Sequence, residues 1–157
     1  MNTTHLQSIH THPGLVDVQW RPHMRAMHIA WRSEFDPSDG FRVAVVTALD
    51  FANRNSVENW LIDLTNSETA AKPSDMAWIR SHDMRSAIRA TSLRRFALMP
   101  PTHYSERDLN WLSDWEEMSV RAYGRGTKAM VSGDMGDIEA FFADRLEGTS
   151  YRAVVGD

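Results

Sequence analysis

Apolar and polar residues follow two spacings along the chain, and these spacings predict alternating strands and helices. The segment 58–65, ENWLIDLT, contains a nearly continuous apolar run with a polar flank at each end. Such a run is typical of a strand buried on both faces in the middle of a parallel sheet. Further strands are predicted at 14–19, 25–31, 93–99 and 129–131. The segment 58–65 is therefore expected to be the central strand.

Between these strands apolar residues recur every three or four positions, which predicts helices. Four helices are expected, at 40–53, 75–91, 105–122 and 134–146. Ser74 precedes the second helix and is a good N-cap, because its hydroxyl can accept a hydrogen bond from a free amide of the first turn.

The element order β-β-α-β-α-β-α-β-α predicts a single α/β domain. The first two strands form an antiparallel hairpin, and right-handed crossovers then bring the last four strands side by side. The expected sheet is mixed, mostly parallel and five-stranded, with the N-terminal hairpin strand at one edge and about four helices covering it. The domain is expected at 14–146, between a flexible tail at 1–13 and a C-terminal tail at 147–157.

Composition narrows the function classes. The formal net charge of −4 gives no general cationic surface of the kind that holds nucleic acid. The chain has no cysteine, which excludes disulfides and thiolate nucleophiles and fits a reducing compartment. No segment approaches the roughly 18 apolar residues of a membrane span, and the first residues lack a signal-peptide pattern. We therefore expect a cytoplasmic protein without a membrane span or a nucleic-acid partner.

No segment completes a known catalytic set. The connection after the strand 25–31 reads RSEFDPSDG, which puts bulky and acidic groups where a nucleotide phosphate would approach backbone amides. His10 and His12 could share a metal ion, but no further side chain nearby completes a coordination shell. We expect no enzymatic activity, no cofactor and no metal.

The C-terminal end of the central strand is the expected binding region, since ligands of open α/β sheets meet the carboxyl ends of the strands. The candidate binding residues occupy this strand end, the following loop and the start of the next helix; they are Asp63, Thr65, Asn66, Ser67, Ser74 and Asp75. On that next helix, Arg80, Arg85 and Arg89 share one side. They could bind phosphate, although a solvated face interleaved with acids is the simpler expectation.

The segment NWLIDLTNSETAAKPSDMAWI resembles the STAS-like proteins of bacteria, distant relatives of the sporulation anti-sigma-factor antagonists. The similarity lies in the W-L-I-D-L strand, the polar loop, and a serine and an acid that open a tryptophan-bearing helix. LRRFALMPP is also similar to that group. The resemblance implies a STAS-like fold and a non-enzymatic regulatory domain that binds a protein partner.

In the antagonist branch, a kinase phosphorylates a serine near the start of this helix, and the added charge breaks the complex. The resemblance makes Ser74 and Ser67 the candidate phosphorylation sites, although the aspartate-serine-serine-glycine run of that branch is absent here.

Two further hypotheses come from apolar side chains. The many Met and Trp residues could line an apolar pocket, so the alternative function is a small-molecule or lipid-binding domain. The third predicted helix carries two apolar stripes that meet at Trp115, which is more than a sheet needs to cover it. Part of this helix is therefore a candidate homodimer surface.

Overall fold

The computed structural model describes residues 6–102, 110–124 and 126–150, and within them the chain forms one sheet and five helices. The strands are β1 Gln7–His12, β2 Val16–Arg21, β3 Ala26–Trp31, β4 Asn59–Asp63, β5 Arg95–Met99, β6 Lys128–Val131 and β7 Thr149–Ser150. The helices are α1 Gly40–Arg54, α2 Pro73–Ile79, α3 His82–Arg89, α4 Leu112–Tyr123 and α5 Met135–Phe142. The predicted α/β class is confirmed. The expected start of the third helix at Ser105 and the tail after residue 150 lie outside the described residues.

The strands lie in the sheet in the order in which they occur along the chain. The pairs β1–β2 and β2–β3 are antiparallel, β3 to β6 pair in parallel, and β7 is antiparallel to β6. The predicted strand number is therefore wrong, since the described sheet has seven strands instead of five. Its antiparallel pairings are also as numerous as its parallel ones.

The two strands that were not predicted lie at the edges of the sheet. β1 falls within the segment 1–13, which was expected to be a tail, and its register with β2 shifts between Ser8 and His10. β7 has only two residues, and they lie within the expected C-terminal tail. Both strands are exposed or half-buried along their length, so they carry no apolar run that would reveal them.

The predicted second helix is in fact two helices. Ser81 has the extended backbone of an N-cap, and its Oγ accepts a hydrogen bond from Met84 N at 3.2 Å, which begins α3. The prediction that Ser74 caps the first of them is wrong, because Lys72 occupies the N-cap of α2 and Ser74 lies inside the first turn. Pro73 at the first helical position fixes this start, since proline favours that position and has no N–H to satisfy.

Alternating side chains divide the core between the two faces of the sheet. Successive crossovers from β3 to β6 advance in one direction, so right-handed connections place α1 to α4 on a single face. On this face Met27, Ile29 and Trp31 of β3 pack into the larger core, as the alternation in the sequence predicts.

The opposite face has a smaller core, which is covered by α5. Buried side chains of this helix pack against β4, β5 and β6; the cluster includes Ile138, Phe141, Phe142, Leu61, Ala97 and Met130. The central parallel strands are therefore buried on both faces, although the face under α5 also carries the polar side chains of His28, Asn59 and Arg95. In the described part of the chain, no helix is long and apolar enough to cross a membrane.

Truncation of two phenylalanines tests this division of the core. Phe141 is 1 % exposed in the smaller core, whereas Phe35 is 45 % exposed. We expect Phe141→Ala to lower the free energy of unfolding by about 3–5 kcal/mol, because it removes buried apolar contacts and leaves a cavity. The matched change Phe35→Ala should stay within about 0.5 kcal/mol of the wild-type value in urea unfolding. Equal losses in the two variants would contradict this assignment of the core.

Candidate functional site

Asp63 ends β4 and takes part in a hydrogen-bonded chain that crosses three strands. Its Oδ2 lies 2.8 Å from His28 Nε2, and its Oδ1 accepts a hydrogen bond from Thr65 N at 3.0 Å. On the other side of the imidazole, Arg21 Nε donates to His28 Nδ1 at 2.6 Å. Because Nδ1 accepts a hydrogen bond, the proton of the neutral ring is on Nε2, which donates to Asp63.

The pKa of Asp63 is lowered from its ordinary value of 3.8. Burial alone would raise this pKa, but the hydrogen bonds from His28 and Thr65 stabilise the carboxylate and outweigh the burial. Both carboxylate oxygens of Asp63 are thus already engaged inside the protein. Its role in this geometry is to join β4 to β3 and to hold the start of the following loop.

The loop after β4 has both buried and exposed positions. Ser67 is buried, and its Oγ donates to Oε2 of the buried Glu34. Thr65 is half-buried, and its carbonyl accepts from Thr102 N at 3.2 Å and from Thr102 Oγ1 at 2.8 Å. Asn66, between them, is exposed. Of these residues, only Asn66 presents a side chain that is open to a partner.

Ser74 and Asp75 lie in the first turn of α2 and differ in burial. Ser74 is exposed, whereas Asp75 is 0 % exposed. Arg42 of α1 joins the two residues, since its Nε donates to Asp75 Oδ1 at 2.8 Å and its Nη2 donates to Ser74 O at 3.2 Å. Asp75 therefore fixes α2 against α1 through Arg42.

The predicted binding residues are thus near one another along the chain but do not form one continuous surface. Asp63 and Thr65 are bonded to each other, Ser67 is bonded to Glu34, and Asp75 is bonded to Arg42. Asn66 and Ser74 are the exposed members of the set. Sequence reasoning missed His28, Glu34 and Arg42. The available signal was a polar His28 within the apolar strand β3.

A cavity of about 450 Å³ lies on the face of the sheet that carries α1 to α4. In this layer α1 packs closely against β1, β2 and β3, and α4 packs against β6 and β7. The helices α2 and α3, which connect β4 to β5, are short and make few close contacts with the sheet. Space is therefore left above the two central strands.

The wall of the cavity is mainly aromatic and aliphatic. Four of the six tryptophans of the chain line the cavity. The main apolar side chains of the wall are Trp31, Trp60, Trp111, Trp115, Phe41, Phe96, Ile62 and Leu98. The Trp31 and Phe41 rings stack with their centroids 4.8 Å apart, and the Phe96 and Tyr123 rings do the same at 4.8 Å. These contacts hold the walls of the cavity in place.

The cavity wall also contains several polar side chains, which are Glu34, Arg80, Arg85, Ser119, Arg121 and Tyr123. Burial raises the pKa of the Tyr123 hydroxyl, and the nearby Arg85 opposes this effect. Among the described residues, none hydrogen-bonds to that hydroxyl, so it is a neutral donor available to a ligand.

Comparisons with protein-family models, with curated proteins and with solved structures found no match for the chain. The resemblance to STAS-like proteins therefore stays a prediction. Within the described ranges, no group of three or more His, Cys, Asp and Glu side chains could hold a metal ion. The cavity is the feature that the structure reveals and that the sequence did not locate.

The free energy of unfolding measured at acidic pH tests the environment of Asp63. Because its folded pKa lies below 3.8, Asp63 contributes stability above that pH, and this contribution is lost as the pH falls through the folded pKa. Asp63→Asn keeps an oxygen that can accept from His28 but does not titrate. We expect the free energy of unfolding of this variant to fall less steeply below pH 3.8 than that of the wild type.

The matched control is Asp50→Asn, at an exposed position on α1 that pairs with Arg54. Its unfolding free energy, measured by urea titration over the same pH series, should follow the wild-type slope. A wild-type slope in Asp63→Asn would show that the carboxylate is not stabilised in the folded state.

Proposed function

We propose that this domain binds a small apolar molecule in the cavity between the sheet and helices α1 to α4. The cavity itself is the observation that carries the proposal. Its volume of about 450 Å³ lies inside the range of roughly 300–1,000 Å³ typical of small-molecule sites. Its wall combines large apolar side chains with a few polar groups, which is the usual composition of such sites.

The cavity is partly open to solvent, and its wall is mainly apolar. A bound apolar ligand would remove this wall from water, which is favourable. Binding without chemical turnover agrees with the expectation from the sequence that the protein is not an enzyme.

A second candidate function is the STAS-like regulatory domain that binds a protein partner. It is favoured by the exposure of Asn66 and Ser74 at the carboxyl end of β4 and the start of α2. Ser74 could receive a phosphate without a rearrangement of the core. Ser67 is 1 % exposed, so its phosphorylation would require the loop to open first. As part of this second candidate function, we also propose a homodimer that forms through the third predicted helix and a cytoplasmic location.

A cavity-filling substitution tests the ligand site. Ala122 lines the cavity on α4, whereas Ala87 is exposed on α3 and does not line it. We expect dodecan-1-ol to change the tryptophan fluorescence of the wild type, because four tryptophans surround the cavity. Ala122→Phe should weaken this binding roughly tenfold or more by occupying the space, and Ala87→Phe should bind as the wild type does. Unchanged binding in Ala122→Phe would contradict the proposal.

Native mass spectrometry of the protein purified from its own host separates the two candidates. A bound small molecule that is lost from Ala122→Phe but kept in Ala87→Phe would support the cavity site. A stoichiometric protein complex that Ser74→Glu dissociates and Ser86→Glu does not would support the regulatory domain. Ser86 is also an exposed helical serine, so the comparison isolates the position of the added charge.

A further inference from the structure

Three arginines line the cavity: Arg80 between α2 and α3, Arg85 on α3 and Arg121 on α4. Within the described ranges, none of the three has an ion-pair or side-chain hydrogen-bond partner. An exposed arginine without a partner is common on protein surfaces. Three such arginines around one apolar cavity, in a chain with a net charge of −4, form a local positive region.

Two of these arginines lie where α3 meets α4. Arg89 Nε donates to the carbonyl of Ala122 at 2.7 Å and joins the two helices there. Arg85 is close enough to Tyr123 to act on its pKa, and Arg121 precedes Tyr123 by two residues on α4. Tyr123 stacks on Phe96 near the start of β5. Arg85 and the Tyr123 hydroxyl thus lie together at the end of the cavity beside the start of β5, and Arg121 lines the cavity from α4.

The other end of the cavity is lined by an acid instead of by arginines. Glu34 follows β3 at the carboxyl edge of the parallel strands, and it is buried with a hydrogen bond from Ser67. The two ends are separated by about one strand length, roughly 15 Å for a five-residue strand. A negatively charged group would be attracted to the end that carries Arg85.

We propose that the ligand is an amphiphile with one apolar chain and an anionic head, either a carboxylate or a phosphate monoester. The head binds to Arg85 with a hydrogen bond from the Tyr123 hydroxyl, Arg121 adds a second positive charge from the cavity wall, and the chain lies over Trp60 and Phe96. This inference rests on the proposed cavity function. Planar guanidinium groups form charge-assisted, often bidentate hydrogen bonds with both kinds of head. Because burial raises the pKa of Tyr123, its hydroxyl stays protonated and can donate.

Four probes with the same dodecyl chain test the charge of the head. Dodecanoate, dodecyl phosphate, dodecan-1-ol and dodecyltrimethylammonium are titrated separately into the full chain by calorimetry, below the concentrations at which they form micelles. At least one anion should bind about tenfold more tightly than the alcohol, the difference that one charge-assisted hydrogen bond accounts for. The cation should bind most weakly. The comparison of the two anions shows whether the carboxylate or the phosphate head is preferred.

Arginine variants test where the head binds. Arg85→Gln and Arg121→Gln should each weaken binding of the preferred anion by roughly tenfold and leave the affinity for dodecan-1-ol unchanged. The matched control is Arg145→Gln, because Arg145 is also exposed but does not line the cavity. It should bind every probe as the wild type does. All three positions are exposed, so thermal unfolding should show the wild-type midpoint in each variant.

The outcomes separate this inference from the proposed function. Equal affinities for the anions and the alcohol, or wild-type affinity for the anion in both arginine variants, would overturn the anionic head. The cavity function would still stand in that case, provided that dodecan-1-ol binds and Ala122→Phe weakens its binding. Failure of all four probes to bind would overturn both.

Discussion

The handedness of the crossovers is the constraint on which the rest of the structure depends. From β3 to β6 each new strand joins the same side of the sheet. A right-handed connection must then bring its helix to the same face every time, so α1 to α4 form one layer. Among the described helices, only α5, whose following strand returns antiparallel, covers the other face. The two faces therefore differ: one carries a helical layer with a partly open cavity, and the other is covered, in the described residues, by the single short helix α5.

Within the helical layer, the length of each crossover decides where space is left. In their described residues, the first and third crossovers each contain one helix of three or more turns, α1 and α4, and each helix packs on strands of the sheet. The middle crossover is divided at Ser81, because the side chain of that serine caps a new helix. Two short helices cannot cover β4 and β5 as one long helix would. The aromatic side chains of the central strands consequently face a cavity.

The sequence was informative where burial on both faces produces long apolar runs. The central strand at 58–65 and its parallel neighbours could be found for this reason. The edge strands β1 and β7 could not, because strands exposed to solvent need no apolar pattern. The division of 75–91 was missed because the apolar spacing continues across Arg80 and Ser81. A serine followed by an acid two residues later was a local sign of a new helix start.

The candidate site was predictable in position but not in form. The carboxyl end of β4 is indeed a region where several loops meet, yet burial of Ser67 and Asp75 depends on Glu34 and Arg42, which come from distant parts of the sequence. The existence of a cavity depends on the distances between packed helices and strands, and the spacing of residues along the sequence gives no information on those distances. The cavity partly explains the broad apolar surface that was expected for the third helix, because Trp111 and Trp115 line the cavity.

The register shift in β1 has a consequence for how this protein meets other chains. A regular outer strand offers its free N–H and C=O groups as a template on which another copy can add a strand, and this growth leads to aggregation. The interruption between Ser8 and His10 breaks the regular spacing of those groups. Addition of a strand at this edge is therefore disfavoured. A chain that meets this edge would therefore make contact through side chains instead of by adding a strand.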